Sequence, residues 1–441
     1  MLKLGVSYSP RFENRGLAGR TAQVDRVAKD WEPEMQPEMP EAVIPTHVPA
    51  NLVKPFPYIF GMTTREEPHR GWAPKVHAEG PDIFYAPHAY PGGSPAWVVR
   101  RMDHLREIYF DTDTFSSKDF SPFAKLIGEN WTNTPAEVDP PNHAKYRKMA
   151  NPLFTPKAVS SLDGKIRQYA VDYVEAFRQR GECEFMAEFA FEFPIKVFLE
   201  LMDFPLDHTR QFLEWEYDLL HASDLGKIAA ATRKVVDYLR EQIEDRRKSP
   251  RDDIISYALA VDVEGAKLND DELVGFSFNL FIGGLDTVST NMGLQFAHLA
   301  REDGDQEFLR QNPEEIPHAI DELMRAYAAV TTFRTCTRET EFHGVKMMPG
   351  DKVAMSTTLA GRDPAEFDNP DKVDFGRRPR HVSFGYGLHT CIGMHLAKRE
   401  MRIALEEFLG RIPQFSVKPG HQLEYHLGMI QPVTLPLVWD V

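Results

Sequence analysis

The chain reads as mainly α-helical with a minor β region. Three observations predict this. Residues 157–247 carry apolar side chains at helical spacing. The stretch from 273 to 300 is apolar nearly all round, which suits a helix crossing the core. Strand-like sequence is confined to 333–358 and to the last thirty residues.

Taken in order, residues 1–45 are polar and carry Pro33, Pro37, Pro40 and Pro45, which predicts a partly mobile N-terminal arm. Residues 46–441 show no linker-like break and predict a single domain. Val171, Val174 and Phe177 recur every three residues with Asp172 and Glu175 between them, and Gly181 ends that helix. Asn269 followed by Glu272 has capping-box spacing and opens the core helix. Another helix covers roughly 314–328. Strands follow, with Pro349-Gly350 as a turn. A last helix occupies about 393–410.

A net charge of −15 argues against nucleic acid as a partner, because phosphate binding needs a basic surface. Three cysteines, an odd number without framework spacing, fit a reducing cytoplasm. The N-terminus lacks a long apolar run, so neither signal peptide nor membrane anchor is expected.

Chemistry is concentrated in a few segments. Cys391 lies in Phe384-Gly385-Tyr386-Gly387-Leu388-His389-Thr390-Cys391-Ile392-Gly393, just before a helix. A lone Cys on flexible backbone at a helix start suits a metal-bound thiolate. Glycines let main-chain N–H groups turn toward the sulfur, and the helix start adds a positive dipole end. A zinc site from His389, Cys391 and His395 would need a fourth ligand, and none lies nearby at a familiar spacing.

The core helix contains Gly283, Gly284, Asp286 and Thr287. Each helical glycine costs about 1 kcal/mol relative to alanine. A buried Asp costs more unless paired. Either the helix is locally widened for a functional reason, or it holds a packing notch with a satisfied Asp. Glu322 and Arg325 share a helix face at i, i+3, a pair that is usually exposed and worth little. His143 and Arg147 lie at i, i+4 after Asp139-Pro140-Pro141, where prolines suit a helix start. They form either two cationic donors for an anion or a solvated basic face.

Phe384, Gly387, Cys391 and Gly393 fill the pattern F-x-x-G-x-x-x-C-x-G, and the segment resembles the heme-binding loop of the cytochrome P-450 superfamily. Gly283-Gly284-Leu285-Asp286-Thr287 resembles the family's acid–alcohol motif, and Glu322 to Arg325 its E-x-x-R motif. The resemblance covers roughly residues 45–441. It implies the cytochrome P-450 fold, a triangular helical prism around a buried heme b (iron protoporphyrin IX). It implies Cys391 as the iron ligand, with Phe384, Gly385, Gly393 and Gly283 beside the cofactor. It puts His143, Arg147, Arg334 and His389 on the propionates. Asp286 and Thr287 become the catalytic proton relay, and Arg377 joins Glu322 and Arg325 in a structural brace.

The activity so implied is hydroxylation of an unactivated C–H bond with dioxygen and two electrons. Peroxide-driven relatives lose the acid–alcohol pair, and a non-catalytic heme sensor or carrier would not need it. Glu341-Phe342-His343-Gly344-Val345 and the tail Leu435-Pro436-Leu437-Val438-Trp439-Asp440 resemble the camphor-hydroxylase (camphor 5-monooxygenase) branch. That branch implies a two-iron ferredoxin with an NADH-dependent ferredoxin reductase. Its substrate-holding tyrosine aligns with Trp131, whose indole N–H can still donate. The same alignment puts Phe120, Phe123, Ala136, Asn279, Ile282, Val330, Met429 and Ile430 at the pocket. Asn279 stands where the camphor enzyme is apolar, which points to a small apolar substrate with one oxygen, camphor-, cineole- or ionone-like. Lys145, Arg147, Lys148, Lys398, Arg399 and Arg402 are either a ferredoxin-docking patch or ordinary surface charge.

Overall fold

Helix amphipathicity sets the architecture. The computed structural model describes residues 43–56, 62–91, 93–222 and 224–441. Most of the expected arm, residues 1–42, therefore lies outside the described residues. The helices that matter for the site are α1 (Asn142–Ala150), α2 (Asp163–Phe177), α3 (Glu192–Leu201), α4 (Thr209–Leu220), α5 (Leu225–Lys248), α6 (Asp270–Gly284), α7 (Asp286–Leu299), α8 (Ile316–Ala326) and α9 (Met394–Arg411). Helix α1 starts directly after Pro141. Asn269 and Glu272 form a reciprocal capping box on α6. Gly181 takes a left-handed φ of 73° and turns the chain beyond α2.

Helix α9 packs on α2 and α8, and α5 packs on α4 and α6. Their shared interior is aromatic. Phe185 stacks on Phe296 at 4.1 Å, and Phe296 meets Phe408 edge-on at 4.9 Å. Such pairs add about 0.5–1.5 kcal/mol each beyond area burial.

A five-stranded sheet lies beside the helices. Its strands are β1 (Ile83–Tyr90), β2 (Ser94–Val99), β3 (Phe115–Ser116), β4 (Thr331–Cys336) and β5 (Lys352–Ser356), in the order β1-β2-β5-β4-β3. Only β2 and β5 run parallel. Arg334 pairs with Val353 in the antiparallel β4–β5 ladder. Small ladders also form near the C-terminus, where Phe415–Val417, Pro436–Trp439 and Glu182–Glu184 make one three-stranded sheet.

Two expectations need correction. The region 157–247 is not helical throughout, because Glu182–Glu184 pairs antiparallel with Pro436–Val438. The core helix is not one widened rod. It breaks at Leu285 (φ −101°, ψ −79°) into α6 and α7. Two glycines and an Asp that prefers other partners weaken the ladder there.

Candidate functional site

The cysteine loop is fixed by its glycines. Gly385 and Gly387 have φ of +70° and +64°, conformations that L side chains rarely adopt. A Cβ at Gly387 would also meet Phe110 at 3.3 Å. The Cys391 N–H donates to the Phe384 carbonyl at 2.7 Å and closes the loop. Cys391 is exposed, although dense chain surrounds its sulfur. Burial pushes its thiol up, while N–H groups of Gly393 and Met394 and the Arg147 guanidinium act the other way.

A buried ion-pair network ties α8 to the segment 361–377. Arg325 donates to both oxygens of Glu322 at 2.8 Å, with both side chains fully buried. The pair is therefore not the surface ion pair that this spacing usually makes. Arg377 Nε reaches the same carboxylate at 3.1 Å. Arg325 also donates to the carbonyls of Gly361, Pro370 and Lys372.

Cationic groups gather beside the loop. The rings of His143 and His389 lie 4.2 Å apart. Arg147 Nη1 donates to the Thr390 carbonyl at 2.7 Å. Arg334, buried on β4, acts electrostatically on both histidines. Burial first, then Arg147, lowers His143 to about 4. Burial first, then Arg334, lowers His389 to about 3. His143 Nε2 and Arg334 Nε are buried without any hydrogen-bond partner. Buried, unpartnered nitrogens beside the Arg147 and Arg334 guanidiniums are what a bound anion satisfies. Together with the Cys391 thiol, this set fits a group that carries carboxylates and a thiolate-binding metal.

At the break between α6 and α7, Thr287 Oγ1 donates to the Gly283 carbonyl at 2.9 Å. Gly283 is exposed and Thr287 half-buried inside an otherwise buried pair of helices, with nothing within 4 Å of a Cβ built on Gly283. Asp286 is fully buried. Its Oδ1 lies 3.2 Å from His221 Nε2 and 3.4 Å from Gln431 Nε2, and its Oδ2 has no partner. Sequence reasoning missed His221 and Gln431. They are 65 and 145 residues from Asp286, and no spacing rule joins them.

Aromatic rings join the 120–136 segment to α6. Phe123 and Trp131 pack on Phe278 with ring centroids 5.4 and 4.7 Å apart. A Cβ on Gly275 would strike the Thr132 carbonyl at 2.0 Å, so this loop rests directly on α6. Phe120, Ala136, Asn279, Ile282, Val330 and Met429 are half-buried. No hydrogen bond holds the Asn279 amide among the described residues. Two pocket expectations change. Trp131 N–H donates to Glu129 at 2.9 Å, and Arg240 and Arg233 also bind that carboxylate, so the indole is not free for a ligand. Ile430 is fully buried and backs the wall.

The basic patch is weaker than its sequence suggests. Lys398 pairs with Asp321 at 2.5 Å, Arg399 with Asp163 at 2.7 Å, Arg402 with Asp163 at 3.8 Å and Lys145 with Glu272 at 3.5 Å. Arg147 turns inward to Thr390. Lys148 alone of the six is exposed without a partner among the described residues.

Comparison with known proteins agrees with this geometry. Residues 204–432 match the family model described as Cytochrome P450. A curated protein described as probable cytochrome P450 127A1, from Sinorhizobium fredii, is 38% identical over 403 residues, covering 90% of this chain and 97% of that one. The solved structure of CYP101J2 superposes with a TM-score of 0.81 at 29% identity, over 90% of this chain and all of that one. CYP101C1 gives 0.80 at 31% identity, again over 90% of this chain. The chain therefore belongs to the cytochrome P450 family of heme b-binding monooxygenases, and within it resembles the CYP101 branch.

Proposed function

We propose that this monooxygenase hydroxylates an unactivated C–H bond of a small, apolar, singly oxygenated substrate of terpenoid size. Cys391 would hold the heme iron, in a loop shaped by Phe384, Gly385 and Gly393. His143, Arg147, Arg334 and His389 would hold the propionates, and Glu322, Arg325 and Arg377 would keep the loop rigid. When bound, heme with a thiolate ligand supplies oxygen activation, the family's known chemistry. Thr287 Oγ1 would present a hydroxyl proton to dioxygen at the gap beside Gly283, and Asp286 would replace it. Electrons would come from a two-iron ferredoxin and its NADH-dependent reductase in the cytoplasm. None of the described helices is long and apolar enough to cross a membrane.

The single observation that carries this reading is the set of groups left without protein partners: an accessible thiol, buried unpartnered nitrogens of His143 and Arg334, and a helix break with an unpartnered Asp286 oxygen. The aromatic wall of Phe123, Trp131 and Phe278 supports an apolar substrate, and the unbonded Asn279 amide supports one polar contact on it. Camphor, cineole and ionone titrated into the heme-loaded protein test the substrate class by the low- to high-spin absorption shift. Tight, saturable shifts with ring-sized oxygenated terpenoids are expected. Shifts only with much larger polycyclic or peptide ligands would overturn the assignment.

A further inference from the structure

His221 sits at the end of α4, where the chain continues to the exposed Asp224 and Leu225. Its side chain is 7% exposed, whereas that of Asp286 is 1% exposed. The ring therefore bridges a surface turn and a buried carboxylate. The chemistry at its Nε2 is unusual. Nε2 lies 3.2 Å from Asp286 Oδ1, an acceptor, so that contact needs a proton on the nitrogen. The same Nε2 lies 3.0 Å from Gln431 Nε2, a donor, so that contact needs a lone pair. One atom cannot meet both requirements together. Thr290 Oγ1 donates to the Gln431 carbonyl oxygen at 3.1 Å, which turns the amide nitrogen toward the His–Asp pair.

We propose that His221 is a positioning residue for oxygen activation: it carries protons from the surface turn to Asp286 by alternating between Asp286 and Gln431. In the loaded state Nε2–H donates to Asp286. On transfer, the Nε2–H bond breaks and an Oδ1–H bond forms, so imidazolium becomes imidazole and carboxylate becomes carboxylic acid. The emptied lone pair then accepts from the Gln431 amide. The spent ring keeps its Nδ1–H, so the proton that restores the imidazolium must bond to Nε2, and the ring turns toward the helix end to take it from water before it returns to Asp286. This deepens the reading of Asp286 given above and rests on it.

Three further groups face this pair. Glu216, on α4, is fully buried with Oε1 unpartnered, and burial together with the Asp286 charge holds its carboxyl well above the usual range. His426, from the C-terminal hairpin, has its ring 5.1 Å from that of His221. Burial first, then His221, lowers it to about 3, so it stays neutral. Tyr217, also on α4, lies 5.5 Å away. Gln431 follows Met429 and Ile430 of the pocket wall, so the unloading partner is carried by the substrate-side hairpin.

The test uses heme-loaded protein. With 15N-histidine labelling of the ferrous carbon monoxide form, the His221 Nε2 resonance should show an exchange-driven change between protonated and lone-pair character. That change should shift in both Asp286→Asn and Gln431→Leu. A single Nε2 state throughout, or a change indifferent to both substitutions, would overturn the proposal. In parallel, His221→Asn keeps a polar side chain that cannot titrate. With a surrogate ferredoxin system it should lower the rate of product formation at least about a hundredfold, the lower end of acid–base contributions, and lower product formed per NADH. It should also flatten the pH profile and leave the substrate spin shift unchanged. A normal thiolate carbon monoxide band with wild-type coupling in His221→Asn would overturn the relay alone. Loss of that band in the wild type would overturn the heme-thiolate site, and the relay with it.

Discussion

Replacing Glu322 with Gln is a sharp test of the buried network that ties α8 to residues 361–377. Four N–H groups converge on this carboxylate. They are Nε and Nη2 of Arg325 at 2.8 Å each, the backbone N–H of Asp374 at 2.9 Å and Nε of Arg377 at 3.1 Å. An amide offers one oxygen and one NH2, so at least one donor is left facing another donor. The buried Arg325 charge also loses its carboxylate partner. Breaking a buried pair from one side costs about 3–5 kcal/mol. Whole-domain stability is about 5–15 kcal/mol, so the change removes a large share. The damage should spread along 361–377, because Arg325 binds the Gly361, Pro370 and Lys372 carbonyls and Arg377 binds that of Asp368. Equilibrium urea unfolding followed by circular dichroism, with heme retention measured alongside, is the assay. A loss below about 1 kcal/mol, the range of exposed pairs, would refute the reasoning.

Other outcomes follow from the same geometry. Thr287→Ala removes the bond to the Gly283 carbonyl and should cost about 1 kcal/mol of stability; its stronger effect should be a rise in peroxide formed per NADH, and an unchanged peroxide share would contradict the role of Thr287. Asn279→Ala should weaken spin-shift affinity for cineole or camphor about fivefold, the worth of one neutral hydrogen bond, while an unchanged affinity and product profile would remove Asn279 from the substrate site. His69 is fully buried with Nε2 2.9 Å from the Ala328 carbonyl, and burial first, then Arg362, lowers it to about 3. The fold keeps it neutral while the unfolded chain binds a proton below about pH 6.5, so its contribution is complete above that pH and is lost as pH falls toward 3. His69→Gln should cut the slope of stability against pH in that window by about 1.4 kcal/mol per unit, one proton's worth; an unchanged slope would contradict the assignment.

What could be read from the sequence was local. The cysteine loop is legible because positive-φ glycines and a helix start sit within ten residues of the thiol. The capping box at Asn269 and the Glu322–Arg325 spacing are legible for the same reason. The burial of that pair is not, because it depends on carbonyls 36 to 47 residues away. Nor is the fate of the Trp131 indole. Glu129 could be seen two residues back, but Arg233 and Arg240 had to be brought in from α5 to fix it. Strands β1 and β2 went unread, and β2 finds its parallel partner only at β5, more than 250 residues on. The basic patch misled for a related reason: a charge in sequence carries no sign of the Asp163 or Asp321 that neutralises it in the fold. Helix propensity at Gly283-Gly284 signalled a weak point, but whether the ladder widens or breaks there is decided by tertiary packing.

The most direct measurement is the absorption spectrum of the dithionite-reduced, heme-loaded protein under carbon monoxide, taken for the wild type and for Cys391→Ser. A strongly red-shifted Soret band in the wild type that is absent from the variant is the predicted result. A wild-type band typical of histidine ligation, or a red-shifted band that survives removal of the Cys391 thiol, would contradict the assignment of Cys391 as the iron ligand.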